Sequence, residues 1–420
     1  MSLKISRIGV LNGRLAIVLA CILATGSARA EPEPTDQPAR GVFSKVESIL
    51  DELREIMGFG PRRPVSLKTI TKPAFRKLYQ EQMRKENNSR QMRREVLLLR
   101  LFGLVPADFD YEETVLDLLS EQAWALYDFK RRNLYLADWA PRDALEYALV
   151  HELVHAVDDQ NFNLLKYMQS TREAESQVAR LAAVEGQASW VMTEWAMRQS
   201  GKSLEGNRIL AIATASATRF EAQQFPVYDS TPTYFREVLI FPYTDGLLFQ
   251  HDMVERFGQD GFKRVFQTPP ATTQQILQPE LYLTGTVPEP PALPRISVPK
   301  GYKRVFDGTF GQLDHKILIQ HHLGSEDFGE LLDKWRGSQF EILERARTGD
   351  AILRYAVRWE DVEAASEYYH LYRQICEKKR AGLKLLDSGE SRCEGVVGQH
   401  RVVLEQVGTV VQGVEGLPAS

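Results

Sequence analysis

The amino-acid sequence predicts an α+β protein whose helices and strands are largely segregated along the chain. Apolar residues recur at helical spacing through the long N-terminal part. Strand chemistry is confined to one hairpin there and to runs near the C-terminus. The 43% hydrophobic and 26% charged residues are typical of a globular protein with a full core. This separation of helices from strands implies the α+β class.

The N-terminus has the features of a secretory signal. Basic residues precede the apolar run LAIVLACILATG, and Ala28 and Ala30 form an Ala-x-Ala pattern just before Glu31. Residues 1–30 are therefore predicted to be a signal peptide cleaved after Ala30, giving an exported protein that is periplasmic or extracellular. The apolar run is too short to span a bilayer stably, so no membrane span is expected after cleavage. The alternatives are an uncleaved anchor and lipidation at Cys21.

The elements before the central motif are predicted in the following order. Residues 31–42 form a flexible, Pro-rich leader, and apolar spacing predicts a helix from Phe43 to Met57. Two helices follow on either side of Asn87-Asn88-Ser89, and their Arg/Lys-rich stretch is expected to be a solvated face. Aromatic and apolar residues flank the polar turn Lys130–Asn133, which predicts a β-hairpin over residues 124–138.

Long helices are predicted after this hairpin. They run from Asp143 to about Ser200, and Asp143 with Glu146 is typical of a capping box at a helix start. A further helix is expected from about Thr244 to Phe257.

The Pro-rich residues 288–300 form a semi-rigid connector that divides the chain. We expect a helix-rich domain at 43–287 and a C-terminal region of mixed helices and strands at 301–420. That region is predicted to contain a strand, a helix and a hairpin, at Ala351–Glu360, Asp361 to about Leu385, and Val396 to about Gly413.

Charge and cysteine content narrow the function classes. The formal net charge is −4 with no strongly basic block, so nucleic acid is not an expected partner. Cys376 and Cys393 remain after signal cleavage, and an even pair in an oxidising compartment predicts a disulfide. The alternative is two separate buried thiols.

The segment YALVHELVHAVDDQNF, residues 147–162, carries the chemistry. His151 and His155 are four residues apart, so they lie on one face of a helix. Neutral imidazoles suit zinc, and Glu152 is placed to act as general base on a water that the metal acidifies. The alternative is a helix that contains two histidines by chance.

Zinc requires a third protein ligand and keeps the fourth position for water. The extended HExxHxxGxxH pattern fails, because Asp158 and Asn161 replace the glycine and the last histidine. Glu185 lies within the apolar stripe of the following helix, whereas Glu194 is expected to face solvent. A carboxylate on a buried stripe needs a metal or a counter-charge.

The predicted Zn²⁺ ligands are therefore His151, His155 and Glu185. The alternative for Glu185 is a buried ion pair with Arg180 or Arg198.

Two neighbouring residues are expected to support this site. Asp159 follows His155 by four residues and is a candidate to accept the second N–H of that imidazole, the alternative being a solvated helix end. Gly186 removes a side chain where two helices can pack closely.

The segments HELVHAVDDQ and VEGQAS resemble the gluzincin zinc metallopeptidases. Further segments between residues 101 and 283, in the same order, are similar to a poorly characterised group of secreted or membrane-anchored bacterial and archaeal HExxH proteins. They are LFGLVPADFDYEETVLDLLSEQ, YDFKRRNLYL, FPYTDGLLF and PPATTQQILQPELYL. The resemblance implies a zincin-like catalytic core at 43–287, with an edge strand from hairpin 127–136, an active-site helix and a glutamate helix. It implies no particular substrate.

The chain departs from this group at three positions. Gln274 and Gln278 stand where the group has Glu and His, and Gln187 replaces Asp in a Glu-Gly-Asp-Ala segment. If the replaced histidine contacts the substrate or the zinc-bound water, activity is impaired.

Transition-state stabilisation usually requires a hydrogen-bond donor at the oxyanion, and Tyr243 is the candidate. The alternative is a core aromatic residue at a helix start. His251, about two turns further on, is expected to be a packed or surface histidine.

The sequence thus predicts a secreted zinc-dependent metallohydrolase, most simply a peptidase acting on a peptide or protein. A backbone edge near Leu134–Leu136 is expected to bind an extended peptide as an added strand. Two alternatives stay open. One is a catalytically impaired zincin fold that serves as an extracellular binding or scaffold protein, and the other is a zinc amidase for non-peptide envelope amides.

Overall fold

The computed structural model describes residues 20–22, 41–86, 89–141, 143–324 and 328–418. It is 54% helical and 19% strand, which confirms the mixed α+β class. Most of the predicted signal peptide and leader lies outside the described residues. Among the described helices, none combines the length and apolar composition needed to cross a bilayer.

The part of the chain before the connector consists of helices around a four-stranded sheet. Helices α1 to α4 are Val46–Met57, Lys72–Glu86, Ser89–Leu101 and Tyr111–Gln122. Strands β1 to β4 are Ala20–Ile22, Ser66–Ile70, Ala123–Asp128 and Asn133–Ala137. Helices α5 to α8 are Leu145–Phe162, Leu164–Gln169, Ala174–Arg198 and Arg208–Ala222. Helices α9 to α13 are Pro226–Ser230, Thr233–Phe257, Asp260–Gln267, Thr273–Leu277 and Pro279–Thr284.

The predicted hairpin is present as the antiparallel pair β3 and β4, but its edge is not where the sequence suggested. The strand order is β1-β3-β4-β2, so β4 is an inner strand. Its outer side pairs in parallel with β2, from Ser66 opposite Asn133 to Ile70 opposite Ala137. The expectation of an open edge near Leu134–Leu136 is therefore wrong. The hairpin's other strand, β3, is bordered on its outer side by the three-residue strand β1.

Two predicted helix starts are wrong. Helix α5 begins at Leu145, and its N-cap residue makes no side-chain capping hydrogen bond. Glu146, expected in a capping box, instead pairs with Lys45 at 2.7 Å. Helix α10 begins at Thr233 rather than near Thr244, and it runs through Pro242. Both faces of α10 are largely buried, so tertiary packing outweighs the hydrogen bond that proline removes.

The C-terminal region is built on a seven-stranded sheet, in which all the strand pairs are antiparallel. Its order is β5-β6-β7-β11-β10-β9-β8. Strands β5 to β8 are Tyr302–Gly308, Trp335–Arg345, Ala351–Trp359 and Lys384–Ser388. Strands β9 to β11 are Arg392–Val397, His400–Val407 and Val410–Pro418, and helices α14 to α16 are Gln312–Leu323, Gly329–Asp333 and Val362–Lys379. The predicted strand, helix and final hairpin are present, but they form only part of a larger sheet.

The hydrophobic core continues across the Pro-rich connector. One buried cluster contains residues from both sides of it, including Phe102, Phe310 and Trp335. The rings of Phe102 and Phe310 stack with centroids 4.2 Å apart. The C-terminal region therefore packs directly against the helical part of the chain that precedes the connector.

The predicted disulfide is not formed. Cys376 and Cys393 are both buried as free thiols. Cys376 lies on α16 with its Sγ 3.9 Å from a carboxylate oxygen of Glu415 on β11, whereas Cys393 lies on β9, beyond β10 in the sheet. Burial raises the pKa of the Cys376 thiol.

Candidate metal centre

The structure brings His151, His155 and Glu185 together at the crossing of two buried helices. The histidines lie on α5 and the glutamate on α7, and each is at most 1% exposed. His151 Nε2 is 3.0 Å and His155 Nε2 is 3.4 Å from the same carboxylate oxygen of Glu185. One ligand atom from each of the three side chains lies within 4.8 Å of the other two. These three residues can hold a metal ion.

The spacing and the partners of these atoms fit a metal. Two ligands of a tetrahedral zinc ion, each about 2.1 Å from it, lie about 3.4 Å apart. The Nε2 atom of His155 is buried and has no hydrogen-bond partner among the described residues. A buried imidazole nitrogen without a partner is costly, and coordination to a metal would satisfy it.

The pKa shifts of His151 and Glu185 favour metal binding. Burial lowers the pKa of His151, which favours the neutral imidazole. Burial alone would raise the pKa of Glu185, but His155 and His151 outweigh it and lower that pKa to about 2. A neutral imidazole beside an ionised carboxylate is ready to ligate without losing a proton.

The structure does not support the alternative of an arginine partner for Glu185. Arg198 donates to Glu194 at 2.6 Å, and Arg180 donates to the carbonyl oxygen of Tyr167 at 2.6 Å. The ion-pair partners of Glu185 in the described part of the chain are the two imidazoles.

Glu194 corrects a second expectation. It is fully buried rather than solvated. Its carboxylate accepts hydrogen bonds from Arg198, from the Ser203 hydroxyl and from the backbone N–H of Leu204. The loop after α7 folds back over this face, which helical periodicity alone does not reveal.

Glu152 lies beside the metal ligands and is held by strand β3. Its carboxylate accepts the backbone N–H of Tyr127 at 2.6 Å, and it is fully buried. This contact links the predicted general base to β3, the hairpin strand whose outer side faces β1. The sequence did not suggest it.

Tyr243 also reaches the site. Its ring centroid is 6.1 Å from that of His151, with 29° between the ring planes. It lies well inside α10 rather than at a helix start. Helix α10 can approach α7 closely because Gly186 has no side chain. A Cβ on Gly186 would lie only 2.1 Å from the carbonyl oxygen of Gly246. The expectation that Gly186 allows close packing is therefore confirmed, and Gly246 is the partner glycine that the sequence did not identify.

Asp159 does not support His155. It accepts hydrogen bonds from the Tyr127 hydroxyl at 3.0 Å and from the backbone N–H of Leu164 at 3.1 Å. Nδ1 of His155 has no hydrogen-bond partner among the described residues. The prediction failed because the start of α6 requires an acceptor, and Asp159 provides it.

A buried pair near the ligands was also missed. The amide of Gln187 on α7 donates to both carboxylate oxygens of Asp158 on α5, each at 2.9 Å. Burial raises the pKa of Asp158 well above its usual range. In the sequence, Asp158 was noted only because it occupies the glycine position of HExxHxxGxxH. At this position on α5 its carboxylate can also accept a hydrogen bond from α7.

The departures at Gln274 and Gln278 lie at the contact with the C-terminal region. The Gln274 amide donates to the carbonyl oxygen of Trp335 at 2.7 Å. The Gln278 amide donates to the side chain of Gln312 at 3.0 Å. His251 was expected to be either packed or on the surface, and it is a packed core residue. Its Nδ1 accepts a hydrogen bond from the Trp190 indole N–H at 3.3 Å.

No protein-family model matches this chain, and no match is found among curated proteins or solved structures. The gluzincin resemblance therefore rests on the sequence motifs.

Proposed function

We propose that the protein is a zinc-dependent hydrolase of the gluzincin type, most simply a peptidase. The observation that carries this proposal is the buried His151, His155 and Glu185 cluster with Glu152 beside it. A zinc ion held by the cluster would supply Lewis acidity to a water and to a carbonyl. Zinc is preferred over other metals because two imidazoles and a carboxylate are the donor set of catalytic zinc sites.

The chain's own residues supply the remaining chemistry. Glu152 accepts the proton of the attacking water and delivers it to the leaving amine. Tyr243 lies beside His151 and donates a hydrogen bond to the oxyanion that develops. Once β1 is removed with the predicted signal peptide, an extended peptide pairs with the outer side of β3, which brings its backbone to the strand that holds Glu152.

The impaired-scaffold alternative rests on the departures at Gln274 and Gln278, whose amides bond to residues of the C-terminal region. No observation favours a non-peptide envelope amide.

The test is metal analysis of the purified protein beside a Glu152→Gln variant and a peptide-library digest. We expect one zinc per chain in both proteins. The variant should lose about 10²- to 10⁴-fold in hydrolysis, because it loses the proton acceptor and keeps the ligands. Wild-type protein without stoichiometric zinc would refute the proposal, as would a variant of undiminished activity.

A further inference from the structure

Away from the metal centre, three arginines from distant parts of the chain line one cleft of about 380 Å³. The cleft lies between α3, the start of α7 and strand β5. Arg94 comes from α3, Arg172 from the loop before α7, and Arg304 from β5. Arg94 is half-buried, whereas Arg172 and Arg304 are exposed at its mouth.

The lining carries more positive than negative charge. Its acidic residues are Glu173 and Asp307, and the distance from Arg304 Nε to Asp307 Oδ1 is 3.8 Å. Like charges gathered on one cleft repel each other, and a bound anion would offset that repulsion. The volume is that of a small-molecule site.

The backbone adds to the positive potential. Helix α7 begins at Ala174 in the cleft, and its N-cap residue Glu173 makes no side-chain capping bond. The first N–H groups of a long helix favour an anion.

Protection of a sheet edge does not explain this arrangement. Strand β5 is an edge of the seven-stranded sheet, and charged residues on such strands suppress edge-to-edge pairing. This reasoning covers Arg304 alone, because Arg94 and Arg172 lie outside β5.

The cleft also has an aromatic wall. Phe306 and Phe340 line it, with ring centroids 5.3 Å apart and an edge-to-face arrangement. A ligand that places an anionic group on the arginines can rest an apolar body on these rings.

We propose that this cleft binds a small phosphate ester with an apolar or aromatic body. Guanidinium groups match phosphate oxygens in pairs of parallel hydrogen bonds, and a dianion exploits several of them. The cleft is separate from the metal centre, because Ala174 and Glu185 are roughly 17 Å apart along α7.

Phenyl phosphate, benzoate and inorganic phosphate are the probes, titrated calorimetrically into the full-length protein at constant ionic strength. We expect phenyl phosphate to bind at least tenfold more tightly than either other probe. A doubly substituted Arg94→Gln, Arg304→Gln protein should bind it at least tenfold more weakly. Arg256→Gln removes an exposed arginine that pairs with Glu280 elsewhere and should leave affinity unchanged.

A Glu185→Ala protein separates this site from the metal centre. Phenyl phosphate binding that persists in this variant supports the cleft whether or not the hydrolase proposal holds. Binding that disappears with Glu185→Ala, or that is the same in wild type and the double variant, would overturn the assignment. Benzoate binding as tightly as phenyl phosphate would also overturn it. Thermal unfolding of each variant without ligand verifies that it is folded.

Discussion

At the scale of single residues, Glu185 and Glu194 show how two buried carboxylates on one helix acquire different roles. Glu185 faces two imidazoles, whereas Glu194 accepts from Arg198 and from the loop at Ser203 and Leu204. Burial therefore does not by itself identify a metal ligand. The partner does, because Glu194 is paired with the permanent cation of Arg198, whereas Glu185 faces two imidazoles.

This difference predicts opposite outcomes for two substitutions. Glu185→Ala should abolish stoichiometric zinc, since two imidazoles alone bind it far more weakly. Glu194→Gln should keep the zinc and lower the unfolding midpoint, because it weakens a buried network. Metal content and thermal unfolding measured on both proteins test this. A Glu185→Ala protein that holds zinc as tightly as wild type would exclude Glu185 as a ligand.

Asp158 carries a second prediction at this scale. Burial raises its pKa well above the usual range. The folded protein therefore keeps a proton at pH values where the unfolded chain has already released it. The carboxyl therefore costs stability as pH rises. Asp158→Asn should raise the free energy of unfolding by about 1–3 kcal/mol at pH 7.5 and have little effect near pH 4. Urea unfolding at both pH values measures it, and destabilisation at pH 7.5 would show that the carboxylate is ionised.

At the scale of elements, the crossing of α7 and α10 positions Tyr243 beside His151. A Cβ on Gly186 would lie 2.1 Å from a backbone oxygen of Gly246, which cannot move like a flexible side chain. Gly186→Ala should therefore separate the helices and destabilise the protein by about 1–3 kcal/mol. Zinc affinity should fall too, since Glu185 is adjacent.

Gly329→Ala is the matched control for this crossing. A Cβ on Gly329, at the start of α15, meets nothing within 4 Å, so this variant should be neutral or slightly more stable. Chemical denaturation of both variants measures the difference. Equal stability of Gly186→Ala and Gly329→Ala would mean that the helices accommodate the methyl group.

Features that depend on local periodicity could be predicted from the sequence, whereas contacts between distant segments could not. The spacing of His151 and His155 predicted one helical face, and the apolar phase of Glu185 predicted its burial; both follow from local periodicity. The pairing of β2 with β4 and the fold-back over Glu194 depend on contacts between distant segments, which no local pattern encodes. The helix expected from about Thr244 begins at Thr233, because packing on both faces outweighs the hydrogen bond that Pro242 removes.

At the scale of the whole molecule, full or partial burial favours the neutral form of histidines away from the metal centre. Burial lowers the pKa of His315 to about 3 and that of His322 to about 4. The unfolded chain takes up these protons near pH 6.5, so stability is present above that pH and is lost as pH falls towards 3. His315, which is fully buried, contributes a slope of about 1.4 kcal/mol per pH unit in this range. His322 is only partly buried, so solvent screening makes its contribution smaller.

Urea unfolding between pH 7.5 and 4.5 should show this loss. His315→Gln should flatten the slope by about one proton, because it keeps an acceptor for the Tyr368 hydroxyl but cannot be protonated. An unchanged slope would mean that His315 does not contribute.

The strand β1 connects the N-terminus to the proposed site. It pairs with β3 from Ala20 opposite Leu126 to Ile22 opposite Ala123, on the side where a peptide would bind, and Tyr127 of β3 holds Glu152. Because β1 lies within the predicted signal peptide, a protein that begins at Glu31 should expose this edge. It should hydrolyse peptides at least tenfold faster than the full-length chain at equal zinc content, since no strand competes for the backbone of β3.

Two substitutions at Cys21 separate strand pairing from other effects of the N-terminus. Cys21→Pro removes a backbone donor and should relieve the block in the full-length chain, whereas Cys21→Ser keeps the strand and should not. Hydrogen exchange at the β3 amides gives a readout that does not depend on catalysis, with slower exchange expected in the full-length and Cys21→Ser proteins. Equal exchange in the full-length protein and the chain from Glu31 would show that β1 does not occupy the edge in solution, and the site would then be open before any cleavage.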